Sequence, residues 1–194
     1  MDDPNPHRAG ASEAPPRLLE ALGGVSVDEA MRQALAEAAR AAEHGEVPVG
    51  CVIFRRGEVI ATGRNRREAE QRPTGHAELD ALEAAARALG TWRLDDCVVV
   101  VTLEPCAMCA GAMVHSRVLG CIYGCTDPKG GFLGTLGDLS AHHGLNHRFD
   151  VLPGVLATEC SHQLKGFFRQ LRERRRARDS EPLEKRFEER WPSG

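Results

Sequence analysis

Two short segments carry side chains whose types and spacing suit chemistry: "PCAMC", with Cys106 and Cys109, and "GHAE", with His76 and Glu78, thirty residues upstream of the first cysteine. Cys-x-x-Cys serves a redox disulfide, half of a structural zinc site or part of a catalytic one. At i, i+3 the two thiols share one side of a helical first turn. A helix N-terminus lowers thiol pKa, which suits thiolates that bind metal. A thioredoxin-like pair also follows a strand and opens a helix, so the redox reading stays open. A structural zinc site needs two further ligands, and the other close pair, Cys121 and Cys125, falls on a predicted strand and its exit. Cysteine there reads more simply as a small buried hydrophobe. His76 is the other candidate partner. On an ideal helix His76 and Glu78 point roughly 200° apart, so they address one centre only if it lies off the helix end. Two facing helix N-termini would then offer three ligands, leaving the open fourth position of a catalytic zinc site. Glu78, as a carboxylate that is not a ligand, can shuttle protons from water to a substrate nitrogen.

The elements that must position these groups can be read from the same chain. Ser26 and Glu29 form a capping box before an amphipathic helix over 27–44, with Met31, Leu35, Ala38 and Ala42 at helical spacing. "VPVGCVIF" and "EVIATGRN" are β-rich runs separated by "RRGE", a hairpin signal. After a loop containing Pro73, "HAELDALEAAARALG" reads as a helix stopped by Gly90. The four consecutive valines of "CVVVVTLE" fit a central strand buried on both faces. That strand runs into Pro105, which suits the first turn of a helix extending to about His115. "RVLGCIYGC" is a further strand and 155–176 a long last helix. Alternating strands and helices predict a mixed sheet with helices on both faces.

Composition narrows the class. The chain of 194 residues is long enough for one full core with appended tails. No run nears the ~18 apolar residues of a membrane span, and "MDDPNPHRAG" does not read as a secretory signal. The odd count of seven cysteines without such a signal favours metal or catalysis over disulfides, in a reducing, cytoplasmic setting. Residues 1–24, with four prolines, read as a disordered arm, 25–178 as the folded domain and 179–194 as a charged tail. Between Lys165 and Arg178, seven basic residues face one acid, Glu173. That stretch fits either a solvated helix end or a phosphate-contacting patch.

The combination H-x-E…P-C-x-x-C is the recorded zinc deaminase signature. From about Val27 to Arg172, the chain resembles the bacterial tRNA-specific adenosine deaminases of the cytidine deaminase-like superfamily. The resemblance rests on "VPVG", "GRN", "PTGHAELDAL", "VTLEPCAMCAGAMVHSRV", "DPKGG" and "LNHR", in that order. "CAGAMVHSR" and "LNHR" argue for the tRNA enzymes over cytosine, guanine and riboflavin-pathway deaminases. The resemblance implies a three-layer α/β/α fold with a central mixed five-stranded sheet. It implies zinc, one ion per subunit, on His76, Cys106 and Cys109, with Glu78 as proton shuttle. Asn65 would contact a flipped nucleoside, the backbone of Ala77 would hold the base, and Asp127 and Asn146 would lie near the target nucleotide. The implied reaction is hydrolysis of adenosine to inosine at the wobble position of a tRNA anticodon stem-loop, by a homodimer.

From the residues alone, Asn65 could instead cap a turn, Asp127 start the "DPKG" turn and Asn146 fix a loop. The chain departs from the family pattern at two places. Gly75 stands where alanine is usual, and Arg66 and Arg67 where proline or a small residue is common. The competing readings are a deaminase of a free base or nucleoside, a non-catalytic zinc-dependent RNA-binding module, which has no need of Glu78, and a thiol redox protein.

Overall fold

The computed structural model describes residues 14–179. Helix α1 (Pro16–Ala21) leads to α2 (Val27–Glu43), and the hairpin β1 (Gly50–Arg55) and β2 (Glu58–Arg64) follows. Next come α3 (Ala77–Leu89), β3 (Val98–Leu103), α4 (Ala107–Ser116), β4 (Gly120–Cys125), β5 (Asp150–Leu152) and α5 (Ala157–Asp179). The strands form one five-stranded sheet in the order β2-β1-β3-β4-β5. It is mixed: β1 runs antiparallel to β2 and β3, whereas β3, β4 and β5 are parallel.

Local chemistry explains most element boundaries. Ser26 Oγ accepts from the Glu29 N–H and opens α2. Arg56 and Gly57 both have positive φ, 51° and 85°, as a two-residue hairpin turn between β1 and β2 requires. Gly90, at φ 65°, closes α3 in the left-handed conformation that glycine adopts without steric cost.

The valine run occupies the centre of the sheet and is buried on both sides. Val99 and Val101 pack with Ala81, Leu82 and Ala85 of α3 and with Ala110, Met113 and Val114 of α4. Val98 and Val100 pack on the opposite face with Leu18, Leu22, Ala30, Met31 and Ala34 of the α1–α2 side, and with Cys160 of α5. The three-layer α/β/α arrangement follows from this alternation.

One expectation needs correction. Part of the segment expected to be an arm, 1–24, is folded: α1 covers residues 16–21, and Leu18 and Leu22 are wholly buried. Leu18 fills the space over Gly120, where an added Cβ would collide with its Cδ2. Residues 1–13 and 180–194 lie outside the described residues, and with them most of the expected tail. Among the described residues, no helix is long and apolar enough to cross a membrane. Cys121 and Cys125 are buried in β4, and the Cys125 thiol donates to the Thr102 carbonyl.

Candidate active site

Both chemistry-bearing segments begin helices on the same face of the sheet. His76 is the N-cap of α3, with extended backbone (φ −92°, ψ 146°), and Glu78 lies in the first turn. Cys106 is the N-cap of α4 (φ −72°, ψ 172°), and Cys109 lies one turn on. Close packing fixes where α3 begins. A Cβ on Gly63 of β2 would collide with the Ala77 carbonyl oxygen and the Ala81 nitrogen, so glycine lets the strand touch the helix backbone. The start of α4 is tied down in turn: the Phe132 N–H donates to the Pro105 carbonyl, and Cys106 bridges to Gly131.

This places three potential ligand atoms in a triangle. His76 Nδ1 is 3.7 Å from Cys106 Sγ and 3.5 Å from Cys109 Sγ, and the two sulfurs are 3.6 Å apart. Zinc bonds of ~2.3 Å to sulfur and ~2.05 Å to nitrogen at tetrahedral angles require S···S near ~3.8 Å and S···N near ~3.6 Å. The donor set therefore fits a tetrahedral metal ion in both chemistry and spacing. Among the described residues these three are the group of side chains that could hold a metal. The cysteines are unbridged, and the equal approach of His76 Nδ1 to both sulfurs is not a feature that a dithiol redox pair needs.

The electrostatics agree. Hydrogen bonding with Cys109, and also with His76, holds the Cys106 thiol down to about 4. Sharing with Cys106, together with burial, pushes the Cys109 thiol up. Hydrogen bonding to Cys106 raises His76. Two helix N-termini add partial positive charge beside the sulfurs. Burial raises the carboxyl of Glu78, which is only 4% exposed, above its ordinary value. A carboxyl poised that way can both take and return a proton.

A cavity of about 190 Å³ opens onto the triangle, lined among others by Asn65, Arg67, His76, Glu78, Cys106 and Asp127. The structure thus brings Asn65 and Asp127 to the same hollow as the ligand set. Ala77 is fully buried at the start of α3, where backbone N–H groups lack intrahelical acceptors. Asp127 also starts its turn, accepting from the Lys129 N–H. Asn146 does not line this cavity. Its Oδ1 accepts from Arg117 Nη1 at 2.7 Å, beyond the opposite end of α4, so within this chain the contact is with the 117 corner. A larger hollow of about 520 Å³, lined by Tyr123, Asp138, Ser140 and Phe149 among others, holds no comparable ligand set.

Two buried carboxylates beside the cavity were not legible as site residues. Glu104, 2% exposed, accepts from the N–H groups of Asp127, Leu133 and Thr135 and from the Thr135 hydroxyl. Glu46, 1% exposed, accepts from Asn65 Nδ2 and the Ala69 N–H. The available signal was position: each acid directly precedes a segment of the motif, "VPVG" or "PCAMC". The Arg66 departure has a local partner set. Arg66 pairs with Glu70 and Asp80, and Arg72 with the same two acids, clipping the 66–72 loop to α3. A Cβ on Gly75 would stand 3.2 Å from backbone atoms of Arg66, Arg67 and Arg72, so glycine permits this close folding.

Comparison with known proteins identifies the lineage. The MafB19-like deaminase family model matches residues 25–172. The chain is 50% identical over 147 residues to a tRNA-specific adenosine deaminase of Bacillus subtilis, covering 76% of this chain and 91% of the relative. The chain belongs to the tRNA-specific adenosine deaminase family. A family structure, from work on A-to-I editing by tRNA:A34 deaminases at the wobble position of transfer RNA, superposes with a TM-score of 0.67 at 38% identity. That match covers 70% of this chain and 98% of the other. A guanine deaminase from Nitrosomonas europaea superposes with a TM-score of 0.65 at 24% identity, covering 80% of this chain and 93% of the other. At that identity the likeness shows the shared deaminase fold alone.

Proposed function

We propose that this chain is a zinc-dependent hydrolase that converts adenosine to inosine at the wobble position of a tRNA anticodon stem-loop. The observation that carries the chemistry is the metal-sized triangle of His76, Cys106 and Cys109 with the buried, non-ligand Glu78 beside it. The substrate rests on the half-identity to a tRNA-specific adenosine deaminase along nearly all of that relative's length.

When bound, zinc supplies Lewis acidity that lowers the pKa of a water to about 7. The protein's own groups do the rest. Glu78 takes a proton from the attacking water and passes it to ring nitrogen N1 as the hydroxyl adds at C6. It then takes the proton of the new C6 hydroxyl and delivers it to the amino group, which leaves as ammonia while the C6 carbonyl forms. Its raised carboxyl suits both directions of transfer. Asn65 and Asp127 line the cavity that would take the base, and in this reading the Ala77 backbone N–H, at the start of α3, helps hold it. A base inside a stack cannot reach such a recess, so a splayed anticodon loop is the fitting substrate. Lys165, Arg169, Arg172, Arg174, Arg175, Arg176 and Arg178 are exposed along α5, a surface suited to phosphates. A homodimer in the cytoplasm belongs to the same reading, the dimer supported by family membership and the reducing compartment by seven free cysteines.

The test is Glu78→Ala. The variant should retain one zinc per chain and lose deamination by ~10²-fold or more, the usual range for removing a general acid–base group. An active variant would overturn the assignment.

A further inference from the structure

Glu46 is a buried carboxylate that the reaction as described does not use. It lies in the connection between α2 and β1 and has no cationic partner among the described residues. Its two oxygens serve two different donors. Oε1 accepts from the Ala69 backbone N–H at 2.6 Å, and Oε2 accepts from Asn65 Nδ2 at 3.1 Å. The Asn65 backbone is itself held, its N–H donating to the Val49 carbonyl.

An amide can turn end for end at little steric cost, so its polarity is set by its partners. Here the partner settles it. Flipping Asn65 would put its carbonyl oxygen against a carboxylate oxygen, two acceptors with no proton between them. One of the two N–H groups on the nitrogen is therefore committed to Glu46, which fixes that end of the amide, and the carbonyl oxygen is the acceptor the amide turns to the cavity that Asn65 lines with His76, Glu78 and Cys106.

We infer that Glu46 is a positioning residue: it locks the Asn65 amide so that the cavity wall presents a hydrogen-bond acceptor, which selects an N–H or O–H donor on the nucleoside. The inference rests on the nucleoside-deaminase reading above and adds the polarity of one wall to it.

The chemistry dictates a reciprocal test. Glu46→Gln keeps the shape but supplies one acceptor and one donor group. The Ala69 N–H belongs to the backbone and cannot turn, so the glutamine oxygen must face it. The glutamine NH₂ then faces residue 65, and Asn65 must turn its oxygen inward and its NH₂ toward the substrate. Adding Asn65→Asp to Glu46→Gln restores an acceptor on both sides: one oxygen takes the glutamine NH₂ and the other faces the cavity. Asn65→Asp alone sets two carboxylates face to face.

The experiment measures kcat/KM for inosine formation on a wobble-adenosine stem-loop with zinc-loaded wild type, Glu46→Gln and the double variant. It also measures hydrogen exchange of the Asn65 side-chain amide by nitrogen-15 NMR. Glu46→Gln should lose roughly 10- to 100-fold, as expected when a donor meets a donor in a buried site. The double variant should exceed Glu46→Gln by roughly fivefold or more, the mark of direct coupling. The Asn65 amide protons should be protected in wild type and exchange faster in Glu46→Gln. Repeating the assay with 2′-deoxyadenosine at the target separates the donors: the Glu46→Gln defect vanishes if the 2′-hydroxyl is the donor and persists if the base is. Equal rates for wild type and Glu46→Gln, or a double variant no better than the single one, would overturn the inference. Wild type inactive on the stem-loop would instead refute the functional reading, and the amide exchange would still decide the orientation.

Discussion

Removing the Glu104 carboxylate should loosen the loop that carries Asp127 more than its place in β3's exit suggests. Glu104 joins the end of β3 to the 127–135 segment by accepting three backbone N–H groups and one hydroxyl. It also lies flat on Gly131, where an added Cβ would collide with the carboxylate. Glu104→Ala orphans the N–H groups of Asp127, Leu133 and Thr135. Each buried orphan costs about 1–3 kcal/mol. Thr135 is exposed, so water recovers its share, and Leu133 is buried with no such relief. The expected loss from the two remaining orphans is therefore about 2–6 kcal/mol. Glu104→Gln keeps the shape and one acceptor oxygen, which can serve Leu133 and Thr135. Its NH₂ then opposes the Asp127 N–H while the Thr135 hydroxyl rotates to accept, a single mismatch worth about 1–3 kcal/mol. Urea unfolding of the zinc-loaded protein, with kcat/KM in parallel, gives both quantities. The order wild type, Gln, Ala should hold for stability, with activity falling in step. Both variants within about 0.5 kcal/mol of wild type would refute the reasoning, since that is the range of surface substitutions.

Three further outcomes are expected. Leu18→Ala should cost about 2–5 kcal/mol in thermal or urea unfolding, because Leu18 is wholly buried over Gly120; a smaller loss would mean α1 is not part of the core. In metal-stripped protein at pH 6, iodoacetamide should label Cys106 first, since its thiol sits near 4 whereas burial pushes Cys97 to about 11 and Cys160 to about 12; zinc should protect it, and label spread evenly over the cysteines would contradict this. Replacing Arg172, Arg175 and Arg176 with alanine should weaken stem-loop binding and flatten its salt dependence, the slope falling by about 1 for each phosphate no longer neutralised. An unchanged salt slope would remove α5 from the RNA surface.

Legibility in the sequence followed range of interaction. The hairpin turn, the cap of α2, the Gly90 stop and the doubly buried valine strand depend on near neighbours, and each was readable from a few consecutive residues. The ligand residues were readable because Pro-Cys-x-x-Cys after an apolar strand and His-x-Glu at a helix start are local patterns too. Helix α1 was hidden by its proline-rich surroundings and its six-residue length, too short to display a helical period. Its two anchors, Leu18 and Leu22, acquire meaning only against the far face of the sheet. Strand β5, three residues long, is likewise defined by pairing to β4 rather than by its own composition. Glu46 and Glu104 were missed for the same reason: their partners lie 19 to 31 residues away, and most are backbone N–H groups, which no side-chain pattern marks. Asn146 shows the reverse limit, since a motif gave its identity while its contact with Arg117 depends on how the chain returns to α4.

The most direct test of the account is inosine formation by the purified, zinc-loaded chain on an anticodon stem-loop bearing adenosine at the wobble position. Controls are a matched loop with the adenosine displaced, free adenosine and free guanine. The expected result is inosine in the wobble loop at a rate far above every control, falling by ~10²-fold or more with Glu78→Ala. Turnover of free guanine or adenosine with no inosine in the loop would contradict it.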